Sequence, residues 1–114
     1  MKNLIIQKIH HSQGMLDIKW AGFISDQLHY DYKYLGMLFS SVESITLEQY
    51  IIRQKVERVK ELMIYDELTL SQIAFQLGYS STAHLSSQFK KITGMPPSEF
   101  KNTMGGKRNH LDTI

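Results

Sequence analysis

The sequence predicts an all-α protein of about seven helices, built as two helix-turn-helix subdomains bridged by a long central helix. Two observations carry that expectation. Over residues 69–93 a short apolar-faced helix, a glycine turn and a second helix with a polar outer face follow one another directly. The same spacing of apolar residues then recurs about 50 positions upstream, so the arrangement is present twice.

Each element has its own signal. Asn3 to His11 places Leu4, Ile5, Ile9 and Ile6 toward one side, as an amphipathic helix does. It starts without a clear cap, from which a parent polypeptide extending upstream is expected. Ser12 to Ile18 contains Gly14 and reads as a connector. Trp20 to Leu28 is a short helix weakened by Gly22, with Trp20, Phe23, Ile24 and Leu28 as core candidates. Asp31 is a good N-cap for the helix Tyr32 to Val42, where Leu35, Leu38 and Phe39 recur at three and four. These pieces form a first helix-turn-helix over about 20–43. Ile51, Ile52, Val56, Val59, Leu62 and Met63 mark the apolar side of a linker helix over 46–65, and Arg53, Lys55, Arg58 and Lys60 mark its exposed side.

The second helix-turn-helix, 69–93, is the clearer one. Thr69-Leu70-Ser71-Gln72 is a capping-box pattern in which Thr and Gln side chains satisfy each other's orphan N–H groups. Leu70, Ile73, Ala74 and Leu77 form the buried side of its first helix. Gly78 stands where a left-handed turn is wanted, because glycine takes positive φ without steric cost. Ser80 or Ser81 caps the following helix, whose apolar positions are Leu85, Phe89 and Ile92. Thr93-Gly94 and Pro96-Pro97 end it, and a last short helix is expected over 97–101. Residues 102–114, with two glycines and no period, are expected to be a disordered tail.

The repeat is read from the residues. Ile24 and Leu28 match Ile73 and Leu77 at an offset of 49, while Leu35 and Phe39 match Leu85 and Phe89 at an offset of 50. Ser44 then falls on Gly94 and Tyr50 on Phe100. The linker helix, roughly 19 residues at ~1.5 Å each, spans about 28 Å. A rod of that length holds two reading helices about one DNA turn apart, near ~34 Å, so that both reach successive major grooves on one face.

The run Ile73-Ala74-x-x-Leu77-Gly78-Tyr79, followed by His84-Leu85-x-x-x-Phe89-Lys90-Lys91-x-x-Gly94-x-x-Pro97-x-x-Phe100-Lys101, resembles the signature of AraC/XylS-type transcription regulators. Its specificity lies in the number of positions in register. The resemblance covers Trp20 to Lys101 well and Asn3 to His11 loosely. It implies a homeodomain-like DNA-binding domain over 1–101, with sequence-specific binding of double-stranded DNA. It also implies a sensor or dimerisation domain upstream or removed; RNA polymerase is the partner that a protein-interaction reading would give. No cofactor is implied.

Composition narrows the function classes. There is no cysteine, so disulfides and thiolate metal sites are unavailable. No apolar run approaches the ~18–20 residues of a membrane span, and the first residues are too polar for a signal peptide. A cytoplasmic location without membrane contact is expected. Nothing resembles a Cys/His or Ser/His/Asp constellation, a glycine-rich nucleotide loop or a carboxylate cluster, so an enzyme is not expected. His10 and His11 point apart on a helix and make a poor metal pair. Net charge is only +2, but it is uneven: residues 81–114 carry five basic and two acidic groups, while residues 40–80 carry four and six. The positive excess lies on and after the proposed reading helix, where phosphates would be.

On a capped helix in a groove, the first exposed turns face base edges and later basic residues face phosphates. That assigns Thr82, Ala83, Ser86 and Ser87 to bases, His84 to a phosphate or to packing, and Lys90 to a phosphate. Their counterparts are Lys33, Gly36 and Met37, with Tyr32 and Tyr34 flanking, and Arg53 is a candidate phosphate contact on the linker helix. Arg53, Lys55 and Arg58 have a plainer reading as partners of Glu57 and Glu61. Family members commonly carry Arg or Gln where this chain has Gly36, Met37 and Ser87. Weaker direct readout is therefore expected, leaning on thymine methyls, hydroxyl contacts and DNA shape. The competing class is a helical protein-interaction module with an eroded DNA face, which the missing arginines favour and Lys90 and Lys91 oppose.

Overall fold

The computed structural model describes residues 1–11, 19–65 and 68–103. Helix α1 is Lys2–His10, α2 Trp20–Leu28, α3 Tyr32–Glu43, α4 Leu47–Ile64, α5 Leu70–Gln76 and α6 Thr82–Thr93. A seventh helix, α7, occupies 97–103. No strand occurs among the described residues.

Capping sets most of the boundaries. Thr46 accepts from the Gln49 N–H while the Gln49 side chain accepts from the Thr46 N–H, so α4 opens at Leu47 on a capping box. Thr69 and Gln72 do the same for α5, as their spacing predicts. Ser81, not Ser80, caps α6 by accepting from the His84 N–H at 3.0 Å. Asp31 occupies the N-cap of α3 but makes no side-chain cap hydrogen bond, contrary to expectation. Gly78 and Gly94 take left-handed φ of 78° and 87°, where glycine carries no Cβ penalty. Helix α7 runs two residues past Lys101, so Asn102 and Thr103 belong to it rather than to the expected tail. The rest of that tail and the 12–18 connector lie outside the described residues.

One apolar core runs through the molecule. Ile5 and Ile9 of α1, Ile24 of α2, and Leu35 and Phe39 of α3 join Ile73, Leu77, Leu85 and Phe89 through the buried stripe of α4. That stripe comprises Leu47, Tyr50, Ile51, Val56, Val59, Leu62 and Met63. α2 packs on α3, α5 packs on α6, and α4 packs against α1, α3, α5 and α6. Ring pairs tie each half to its neighbour: Phe39 meets Tyr50 edge-on at 5.2 Å, and Phe89 meets Phe100 at 5.5 Å. Leu38 and Ile92, expected in the core from their spacing, are 47% and 39% exposed. They stand at the rim of the apolar arc, where a period of three and four no longer distinguishes inside from edge.

Candidate nucleic-acid interface

Helices α3 and α6 are each 12 residues long and stand at the same place in the two units. On α6 the residues opposite Leu85 and Phe89 are open: Thr82, Ala83, His84, Ser87 and Lys90 are exposed, and Ser86 is half-buried. On α3 the corresponding Lys33, Tyr34 and Met37 are exposed and Gly36 is half-buried. The fold thus brings Thr82, Ala83, Ser86, Ser87 and Lys90 onto one helix face, and Lys33, Tyr34, Gly36 and Met37 onto another. α4, 18 residues and about 27 Å long, joins the two units.

Cations divide into engaged and free. Arg58 holds Glu61 at 2.9 Å and Lys60 holds Glu57 at 2.9 Å, so the ion-pair reading is right for Arg58, one of the three residues it named. Lys55, read as exposed, is instead packed with its ammonium 4.1 Å from the Tyr79 ring centroid. Burial pushes its pKa down to about 8, because a desolvated ammonium loses more than a neutral amine does. Burial likewise pushes the Tyr79 phenol up, and its hydroxyl has no partner among the described residues. Among the described residues, Lys33, Lys90, Lys91 and Arg53 have no carboxylate partner. Arg53 shares a cleft with Ile92, Thr93, Met95 and Phe100, beside the last turn of α6 rather than its first turns.

His84 is tethered. Its ring meets Tyr79 edge-on at 5.3 Å, and its Nδ1 lies 3.1 Å from the Ser80 hydroxyl. Tyr32, flanking the first unit, donates to Glu48 Oε1 at 2.8 Å; burial first, and that bond second, raise its pKa. Between the units, Trp20, Tyr32, Ile51, Lys55, His84 and Gln88 line an open cleft of about 220 Å³. Sequence reasoning missed Gln88 and Tyr30. Gln88 was visible as the repeat partner of the apolar Leu38. Tyr30 precedes α3, and only packing shows that its ring lies 5.7 Å from that of Tyr34. No helix among the described residues is long and apolar enough to cross a membrane, and none of their His, Asp or Glu groups clusters as a metal site.

Two helix-turn-helix units joined by one long connecting helix define the class. A family model for the helix-turn-helix domain matches residues 24–103. The chain belongs to that family, the AraC-type helix-turn-helix domains. It is 36% identical over 93 residues to the uncharacterized transcriptional regulatory protein YesN of Bacillus subtilis, covering 80% of this chain and 25% of that protein. The chain therefore spans about a quarter of that relative's length. Among solved structures it is similar to the C-terminal domain of the two-component response regulator yesN of Fusobacterium nucleatum. There the TM-score is 0.71 and the identity 25%, over 88% of this chain and 96% of that one. The DNA-binding domain of AdpA, solved in complex with a target DNA, has the same fold: TM-score 0.76 at 16% identity, over 95% of this chain and 96% of that one.

Proposed function

We propose that α3 and α6 enter two successive major grooves on one face of a double-stranded promoter site, with α6 the dominant reader. The chain is a DNA-binding unit of a transcription regulator, and its relatives are regulators rather than enzymes. The two-groove reading is supported by the two equivalent helices joined by α4. The dominance of α6 is supported by its outer face: capped by Ser81, exposed at Thr82, Ala83 and Ser87, half-buried at Ser86, and followed by Lys90 and Lys91, which have no carboxylate partner among the described residues. Hydroxyls and a methyl face base edges and the two ammonium groups face phosphates. His84, already held by Tyr79 and Ser80, serves the phosphate beside the helix start. On α3, Lys33, Tyr34, Gly36 and Met37 face the other groove, and Arg53 reaches a phosphate at the far end of α6. A sensor or dimerisation domain and RNA polymerase are the protein partners of the whole regulator, which works in the cytoplasm.

A protein-interaction role is favoured by one observation: α3 exposes Tyr34, Met37, Leu38 and Val42. Titration against a random-pool duplex at ~50 and ~200 mM salt, with the bound fraction sequenced, separates the readings. Steeply salt-sensitive binding that enriches two half-sites about one turn apart is expected. Enrichment of one half-site only would reduce α3 to scaffold, and no binding at low salt would leave the protein-interaction role.

A further inference from the structure

We propose that the first unit recognises thymine through its C5-methyl groups, with Tyr34 and Met37 as the contacting side chains, so that its half-site is thymine-rich. The inference rests on the two-groove reading and adds what one of the two helices reads.

At an offset of 50 the two outer faces differ in kind. α6 presents His84, Ser87, Gln88, Lys90 and Lys91, where α3 presents Tyr34, Met37, Leu38, Ser40 and Ser41. At the start of that α3 face Lys33 is exposed and can donate to a guanine edge. Beyond it, Tyr34, Met37, Leu38, Ser40 and Ser41 include no Arg, Lys, Asn or Gln to make the forked pair of hydrogen bonds that distinguishes guanine or adenine. Ser41 is not free to substitute, because its hydroxyl donates to the Leu38 carbonyl at 2.7 Å. Beyond Lys33 the outward surface is mainly apolar: Met37 is 67% exposed, and Tyr34, a ring carrying a single hydroxyl, is 53% exposed. Tyr34 is steadied by the tilted ring of Tyr30, whose carbonyl accepts from Ser25 at 2.6 Å.

The major groove offers such a face one apolar feature, the thymine methyl. Set against any other base edge, Met37 would cover donors and acceptors without satisfying them, which costs binding. Set against methyls, it removes apolar surface from water on both sides. Met suits irregular contact because it is unbranched and polarizable. Between the two contacting residues stands Gly36, where an added Cβ would meet nothing within 4 Å. Its missing side chain leaves room for the helix to approach the base edges.

The test uses the full chain and the duplex it selects from a random pool. Reselection with Ser87→Arg identifies the second half-site by the guanine it newly favours. Thymines are then replaced by uracil, which lacks only the methyl, in one half-site at a time. Uracil in the first half-site is expected to weaken binding roughly fourfold per contacted methyl, the equivalent of ~0.8 kcal/mol. That loss should shrink in Met37→Ala, while uracil in the second half-site should matter less. Met37 is exposed, so the variant should melt like the parent, which a thermal scan checks. Equal binding of thymine and uracil duplexes, with salt-sensitive binding kept, overturns the methyl reading and leaves DNA binding intact. An unchanged affinity and an unchanged thymine-to-uracil ratio in Met37→Ala also overturn it, and assign the stripe to a protein partner. Absence of salt-sensitive binding to any duplex overturns the two-groove reading itself, and this inference with it.

Discussion

The first and second helix-turn-helix units share a skeleton and differ in how completely their sequences suit it. Phe39 against Tyr50 and Phe89 against Phe100 are the same ring contact made twice, and Leu47 and Pro97 are buried at equivalent places. At the two left-handed turns, however, the second unit uses Gly78 and Gly94 while the first uses His29 at φ 60° and Ser44 at φ 65°. The second unit caps its outer helix with a serine hydroxyl, and the first leaves Asp31 unbonded. Core packing can therefore hold a backbone conformation that the local residues disfavour. What separates the units is local chemistry, not architecture.

The largest expected effect tests whether the cores really are equivalent. Phe89 is fully buried and Phe39 is 5% exposed. Phe89→Ala and Phe39→Ala should each destabilise by about 3–5 kcal/mol in chemical denaturation, through lost transfer energy and the cavity left behind. A Phe39→Ala cost below about 1 kcal/mol would mean that the first unit is loosely packed and the equivalence is only geometric.

A second contrast concerns the two lysines stacked on tyrosines. Lys2 lies 5.9 Å from the Tyr50 ring centroid, and its hydrogen bond to Glu43 raises its pKa. Lys55 lies closer to Tyr79, and burial lowers its pKa from 10.5 to about 8. Between those values the unfolded chain binds more protons at Lys55 than the folded chain does, so stability should rise with pH across about 8 to 10.5. Tyr79 opposes the rise. Its raised pKa lets the unfolded chain lose that proton first, so stability should fall once pH passes about 10. Thermal melts from pH 7 to 11 should show a maximum near 10. Lys55→Met should remove the rise and stabilise at pH 7 by on the order of 1–2 kcal/mol. A flat profile below pH 10 in the parent would show that Lys55 stays solvated.

Turn and cap substitutions come next. A Cβ at Gly94 would meet nothing within 4 Å, so Gly94→Ala should cost only the backbone penalty of a left-handed residue, about 1–2 kcal/mol. Ser44→Gly makes the opposite change in the first unit and should gain somewhat less than that, about 0.5–1 kcal/mol, because glycine loses more chain entropy on folding. Ser81→Ala should cost about 1 kcal/mol, whereas Asp31→Ala should cost only the few tenths that its charge contributes at a helix start. Equal costs at Ser81 and Asp31 would erase the local difference between the units.

Much of this was legible in the sequence because it depends on residues near one another in the chain. The Thr69 to Gln72 capping box, Gly78, Gly94 and the repeat spacing are each local decisions, and each stands where the sequence reading put it. Lys55 was misread because its environment is set across the chain: α4 meets the turn at Tyr79, and a pattern along α4 alone cannot show it. The exposure of Leu38 and Ile92 failed to show for the same reason, since both sit where a neighbouring helix either covers the rim or does not. The exposure of Thr82, Ala83, Ser87 and Lys90 on α6 was legible from the helix period and its cap. The Tyr30 and Tyr34 pair was missed because it links a turn to a helix, and neither residue alone carries a signal.

The smallest effect goes furthest toward function. Lys90 and Lys91 of α6 stand where α3 has Ser40, half-buried, and Ser41, exposed, so charge can be exchanged between positions in the same register. If α6 holds phosphates through its later turn, Lys90→Ser should flatten the slope of log affinity against log salt by about 0.9. Between ~50 and ~200 mM salt the variant should then lose roughly threefold to fourfold less affinity than the parent. Ser40→Lys should steepen the slope by a similar amount only if α3 lies in its own groove at the depth of α6. With the first helix held off the duplex, the new ammonium would release no counterion and the slope would not move. The pair of variants thus measures separately whether each helix is docked, without reference to which bases either one reads. A steeper slope in Ser40→Lys together with an unchanged slope in Lys90→Ser would invert the proposed dominance, making the first unit the one that lies against the phosphates.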